Sequence, residues 1–134
     1  MNIADVMDDL GAALKTIPGL RVFPYTAEDL PAPAAVVEWP EEINYDATMG
    51  RGSDRMSMRV SVVAGGSSTR GARDQLAKYL DGAGSASVKA AIESYDASAY
   101  DSARVSQALP AVIESAGVQY LGAIFTVDLI GRGA

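Results

Sequence analysis

The chain of 134 residues contains neither histidine nor cysteine. That removes the commonest general base, the commonest metal ligand and every thiolate at once. Serines are plentiful, but no Ser-His-Asp arrangement can form without histidine. A Ser-Lys pair is disfavoured because Lys15, Lys78 and Lys89 all fall on the surfaces of predicted helices.

Three groupings remain that carry chemistry. Gly66-Ser67-Ser68-Thr69-Arg70-Gly71 follows a predicted strand and opens a predicted helix, the setting of a phosphate-binding loop. Such a loop needs a lysine for the β/γ-phosphates and a hydroxyl for Mg²⁺ directly after its last glycine. Ala72 and Arg73 stand there instead, so the glycines read as punctuation between elements. Glu38, Glu41, Glu42 and Asp46 supply oxygen ligands of the kind a hard cation takes, but their spacing matches no EF-hand loop. A solvated acidic loop accounts for them. Met49, Arg51, Arg55, Arg59 and Arg70 concentrate arginine in an otherwise acidic protein. Arginine is enriched at interface hot spots because its planar fork binds carboxylates through two parallel hydrogen bonds.

The formal net charge is −6 and the hydrophobic fraction 49%, which describes a globular chain that does not hold DNA phosphates by counterion release. One domain over residues 1–134, with residues 131–134 as a frayed tail, suits this length. No cofactor or metal site is expected, and the chain is not read as an enzyme. Met1-Asn2-Ile3-Ala4-Asp5 lacks the basic start of a secretory signal, and no apolar run is long enough to span a bilayer. The absence of cysteine fits a reducing compartment.

These residues need elements to position them. Ile3, Val6, Leu10, Ala13, Leu14 and Ile17 recur at helical spacing, with Asn2 as N-cap and Pro18-Gly19 as terminator. Short strands follow at 20–23, 34–39 and 43–45. Residues 55–64 alternate strictly: Met56, Met58, Val60, Val62 and Ala64 face one way, and Arg55, Ser57, Arg59 and Ser61 the other. Ala72, Leu76, Tyr79 and Leu80 mark a second helix, with Asp74 and Lys78 as an i,i+4 pair. Val88, Ala91, Ile92 and Tyr95 mark a third, capped by Ser85 or Ser87. Residues 103–109 alternate weakly up to Pro110, which belongs at a bulge or an edge. Residues 112–114, an Ala116-Gly117 turn and residues 118–130 then read as a hairpin, with Leu121, Ala123, Phe125, Val127 and Leu129 on one face. The fold class is α+β, an antiparallel or mixed sheet with helices packed on one face. Trp39 and the tyrosines are assigned mostly to core and cross-strand packing.

Residues 46–54 form a glycine-bearing polar loop with nothing apolar enough to pin it down. Long loops in compact domains are usually functional or disordered. With no catalytic group beside it, this one is expected to be mobile in the free subunit and to order on a protein partner. Met49, Gly50, Arg51, Gly52 and Arg55 are the candidate contact residues.

Residues 9–107 resemble the tail terminator, or tail-completion, proteins of long-tailed bacteriophages, especially those of actinobacteria. The resemblance is carried by LGAALKTIPGLRVFPYT, INYDATMGRGSDRMSMRVSVVAG, ARDQLAKYLDGAGSASVKAAIESY and AYDSARV. It implies a small α+β domain that assembles with copies of itself into a six-membered ring. Such a ring caps the head-proximal end of the tail tube, stops polymerisation of the tube protein and joins the head-completion proteins of the neck. The implied location is the virion, after synthesis in the host bacterial cytoplasm, with no membrane partner and DNA only passing through the lumen. An acidic lumen lets DNA slide, because like charges repel phosphates. A head-tail adaptor or stopper of the neck is the alternative within this class, and a small nucleotide-binding protein using the turn from Gly66 to Gly71 is the alternative outside it. No site residue transfers from the family.

Overall fold

The computed structural model describes residues 1–23, 33–45, 52–66, 70–115 and 117–132. In chain order the elements are α1 (Ile3–Leu14), β1 (Arg21–Phe23), β2 (Ala34–Val37), β3 (Glu42–Asn44), β4 (Ser53–Gly66), α2 (Arg70–Leu80), α3 (Val88–Ser94), β5 (Ser102–Ser115) and β6 (Val118–Arg132). The six strands form one mixed sheet in the order β1-β2-β4-β6-β5, with β3 also on β4. Only β1 and β2 run parallel; the other pairs are antiparallel.

Long β4 is flanked on one side by β6 along nearly its whole length, from Ser53↔Arg132 to Gly66↔Tyr120. Its other side is shared. β2 takes residues 60–63 of β4 and β3 takes residues 55–57. Between them, Glu38 N–H donates to the Arg59 carbonyl (3.0 Å) and Glu41 N–H to the Ser57 carbonyl (2.9 Å). Residues 34–44 therefore follow β4 as one antiparallel track interrupted at Pro40, which has no N–H to give a ladder.

The alternation of β4 translates directly into burial. Met56, Met58, Val60 and Val62 are at most 1% exposed, whereas Arg55 and Arg59 are exposed. On β6, Ala123, Phe125, Val127 and Leu129 extend the same inner face. All three helices pack there: Val6, Leu10 and Leu14 of α1, Leu76 and Tyr79 of α2, and Val88 and Ile92 of α3 belong to one cluster with those strand residues. Asn2 caps α1 by accepting from Asp5 N–H at 3.1 Å, and Ser87 caps α3 by accepting from Ala90 N–H at 3.1 Å. Helix α1 ends at Leu14, before the Pro18-Gly19 signal. Thr16 and Ile17 bond three residues back, to Ala13 and Leu14, in a tighter turn, and Gly19 redirects the chain at φ +77°.

Several boundaries differ from expectation. Ser53 and Asp54 belong to β4, not to the preceding loop, because they pair with Arg132 and Gly131. For the same reason residues 131 and 132 are ladder residues and not a frayed tail, and Met1 packs on Gly131. Pro110 lies on a sheet edge, as expected, but β5 continues through it instead of stopping there. The irregularity in β5 falls earlier, between Val105 and Gln107. Asp74 pairs with Arg73 rather than Lys78, and the i,i+4 ion pair sits on α3 instead, between Lys89 and Glu93 at 2.6 Å.

Glu93 does more than pair on its own helix. Its second carboxylate oxygen accepts the Val105 N–H at 2.9 Å, tying α3 to β5 at the strand irregularity. Burial alone would raise its carboxyl, but Lys89, the Val105 amide and Arg104 outweigh that and hold it below the ordinary 4.5. A lowered carboxylate adds stability above the unfolded value that is lost as pH falls through the folded one. Glu93→Gln is expected to cost about 1 kcal/mol at neutral pH and nothing in acid, where wild type is already protonated. Urea melts of both proteins on either side of pH 4.5 check this.

Tyr100 has the opposite behaviour. Its hydroxyl is buried with no hydrogen-bond partner among the described residues. Burial, then the nearby Asp9 and Tyr95, push its pKa up from 10.0 to about 12. The unfolded chain therefore ionises first, and stability falls as pH rises from 10 towards 12. Tyr100→Phe removes an unpartnered polar atom, so it should melt no lower than wild type at neutral pH and lose less stability in alkali. A markedly lower melting temperature at neutral pH would show that the hydroxyl has a partner.

Candidate functional site

The alternation that fills the core also composes the outer sheet face. Across β4, β6 and β5 the register sets outward rows. They read Arg55-Ile130-Ser102, Ser57-Asp128-Arg104, Arg59-Thr126-Gln107, Ser61-Ile124-Leu109 and Val63-Gly122-Ala111. The face thus grades from charged to apolar along the strands. At the apolar end Ala34, Val36 and Val63 form a second buried cluster, with Phe23, Ile113 and Tyr120 partly buried against it and no described helix residue in it.

At the charged end lies a shallow cleft of about 360 Å³ lined by Arg55, Ser102, Arg104, Asp128 and Ile130. Arg21 and Arg132 share this outer face by register, opposite Ala34 and Ser53. Arg59 is engaged by Glu41 in an ion pair. Arg55, Arg104 and Arg132 form no ion pair with any described residue. Guanidinium groups on a flat face bind carboxylates well, but they offer no nucleophile and no proton acceptor near neutral pH.

Of the predicted contact residues, Met49, Gly50 and Arg51 lie outside the described residues, as does the expectation that this loop is mobile. Gly52 is described and has φ +106°, a conformation that favours glycine. Arg55 is in the cleft. Arg70 is not brought to it: it opens α2 beyond the far end of β4, about 35 Å of strand away. Residues 24–32, residues 67–69 and Ala116 of the predicted turn also fall outside the described residues.

Among the described residues, no three acidic side chains come together as a cation site. Of the acidic group at 38–46, Glu41 is turned to Arg59.

Trp39 corrects the assignment of aromatics to packing. It is 64% exposed, and Tyr45 is 73% exposed. Both flank β3, where backbone bonds to β4 hold the strand but Pro40 breaks the pleat. At the other side of the sheet, Leu109, Val112 and Val118 are exposed on the β5–β6 hairpin. The exposed large apolar side chains among the described residues thus fall at two opposite sheet edges. Arg104 was missed in the sequence because residues 103–109 alternate weakly; the strand irregularity after Val105 shifts the pattern by one.

No protein-family model matches this sequence, and no curated protein matches it. Among the described residues the fold is a mixed six-stranded sheet with three helices on one face, an α+β domain. Among the described residues, no helix is long and apolar enough to cross a membrane.

Proposed function

We propose that this chain is a structural virion protein of a long-tailed phage, a tail terminator acting as a ring of identical subunits. In this reading it is not an enzyme. It caps the head-proximal end of the tail tube, stops tube polymerisation and forms the joint to the neck proteins. The observation that supports it best is the distribution of exposed apolar residues. Trp39 and Tyr45 sit at one sheet edge, and Leu109, Val112 and Val118 on the hairpin at the other. A ring of more than two like subunits needs two different surfaces on opposite sides of each subunit, because only head-to-tail contacts close such a cycle. Large apolar side chains exposed in groups mark such contact surfaces.

Electron microscopy of particles assembled without this chain tests the proposal. Tails of uncontrolled length, without heads, are the expected result. Tails of normal length that merely lack heads would move the chain to the adaptor or stopper position in the neck. Intact particles would reject a role in the virion altogether.

A further inference from the structure

We infer that the arginine-bearing end of the outer sheet face docks on the acidic side of α1 of a second copy of this chain. The inference deepens the ring reading above and rests on it. Two surfaces carry it. On the sheet side, Arg55 and Arg104 line one cleft and Arg132 lies beside it, with no ion pair to any described residue. Among the described residues, Asp128 is the one acid lining that cleft. On the helix side, Asp5 and Asp8 are exposed one turn apart on α1, again with no ion pair to any described residue. Asp9 is already spent on the Ala99 N–H, at 2.9 Å. That bond lays the segment after α3 beside α1 and adds exposed Asp96 and Asp101 to the acidic side. The only lysine of α1's neighbourhood in sequence, Lys15, is at the helix's other end.

The two surfaces lie on opposite faces of the sheet, so Asp5 and Asp8 make no ion pair with Arg55 or Arg104 of the same molecule, although Arg104 does act on Glu93 of α3. They also lie at the same end of it. Arg55 pairs with Ile130, whose carbonyl accepts the Asp101 N–H at 2.8 Å, and the Met1 amino group donates to the Arg132 carbonyl at 2.9 Å. A head-to-tail contact between patches at one level needs little shift along the strands. Closure into a ring is then set by the rotation between neighbours. The net charge of −6 does not oppose this, because facing pairs dominate once distant charges are screened beyond about 8 Å at physiological salt.

The test uses charge reversal on exposed positions in the full chain, with mass in solution measured by sedimentation at physiological salt. Thermal melting of each variant verifies that it folds. Arg55→Glu with Arg104→Glu should weaken self-association at least about tenfold, and Asp5→Lys with Asp8→Lys should do the same. Mixing the two variants should restore the wild-type mass, since each then offers the other an opposite charge at both contacts. Raising salt to about 0.5 M should dissociate the restored assembly. A wild-type assembly that both reversals leave intact overturns this contact while the ring stands. So does loss of assembly in each variant without rescue on mixing. A wild-type chain that stays monomeric at every concentration overturns the ring and the contact together.

Discussion

Val60→Asp is expected to destabilise the fold by several kcal/mol. Val60 is fully buried in β4, the strand flanked by β2 on one side and β6 on the other, opposite Val37 and Phe125. All three are core residues of the helix-covered face. A carboxylate placed there loses its hydration and meets no cation. It must either ionise unpaired or take up a proton, and each route costs several kcal/mol. A loss on the order of 4 kcal/mol approaches the whole stability of many domains of this size. Arg59→Asp, one residue away on the outer face, provides the control. It breaks only the exposed pair with Glu41 and should cost about 1 kcal/mol or less. Similar melting curves for the two variants would invert the assignment of the faces.

Gly122→Ala should cost about 2 to 3 kcal/mol, an uncommonly large effect for one methyl group. Gly122 sits in β6 opposite Val63, where the β4–β6 register shifts between Val63 and Gly65. A Cβ there would overlap the Val62 carbonyl oxygen and come within 2.8 Å of Ile113 Cδ1. A side-chain tip can swing away, but a strand carbonyl cannot move without parting two central strands. Gly71→Ala is the matching control. It lies in α2 with nothing within 4 Å of the added carbon, so it should gain up to about 1 kcal/mol from helix propensity. If Gly122→Ala melts with wild type in denaturant titrations, the strands do not approach as closely as described.

Much of this was legible in the sequence, for identifiable reasons. The inner residues of β4 and β6 announce their face through a period of two, and the α1 stripe through helical spacing, because burial of one side is a local property of a strand or helix. What alternation cannot encode is which strand lies alongside. Nothing in residues 34–45 says that β2 and β3 share one side of β4, and Trp39 reads as core until Pro40 is seen to break that track. The contact surface was half visible. Arg55 stood out by its place in the alternating run, whereas Arg104 joined it only through pairing via β6. The start of β4 was misplaced by two residues because Ser53 and Asp54 have poor strand propensity and are held by their partners Arg132 and Gly131.

The position of β6 bears on how the chain is made. It is the last of the described elements, yet it lies between β4 and β5 and supplies the neighbour of both. As the chain leaves the ribosome, β4 emerges with one long side unsatisfied and waits more than 50 residues for its partner, since Val118 follows Gly66 by that distance. The β5–β6 hairpin is local and closes quickly, whereas joining it to β4 carries the cost of a long loop. The sheet is therefore complete only once β6 has emerged. Until then β4, whose inner side carries Met56, Met58, Val60 and Val62, is an open edge for chaperones or for neighbouring nascent chains.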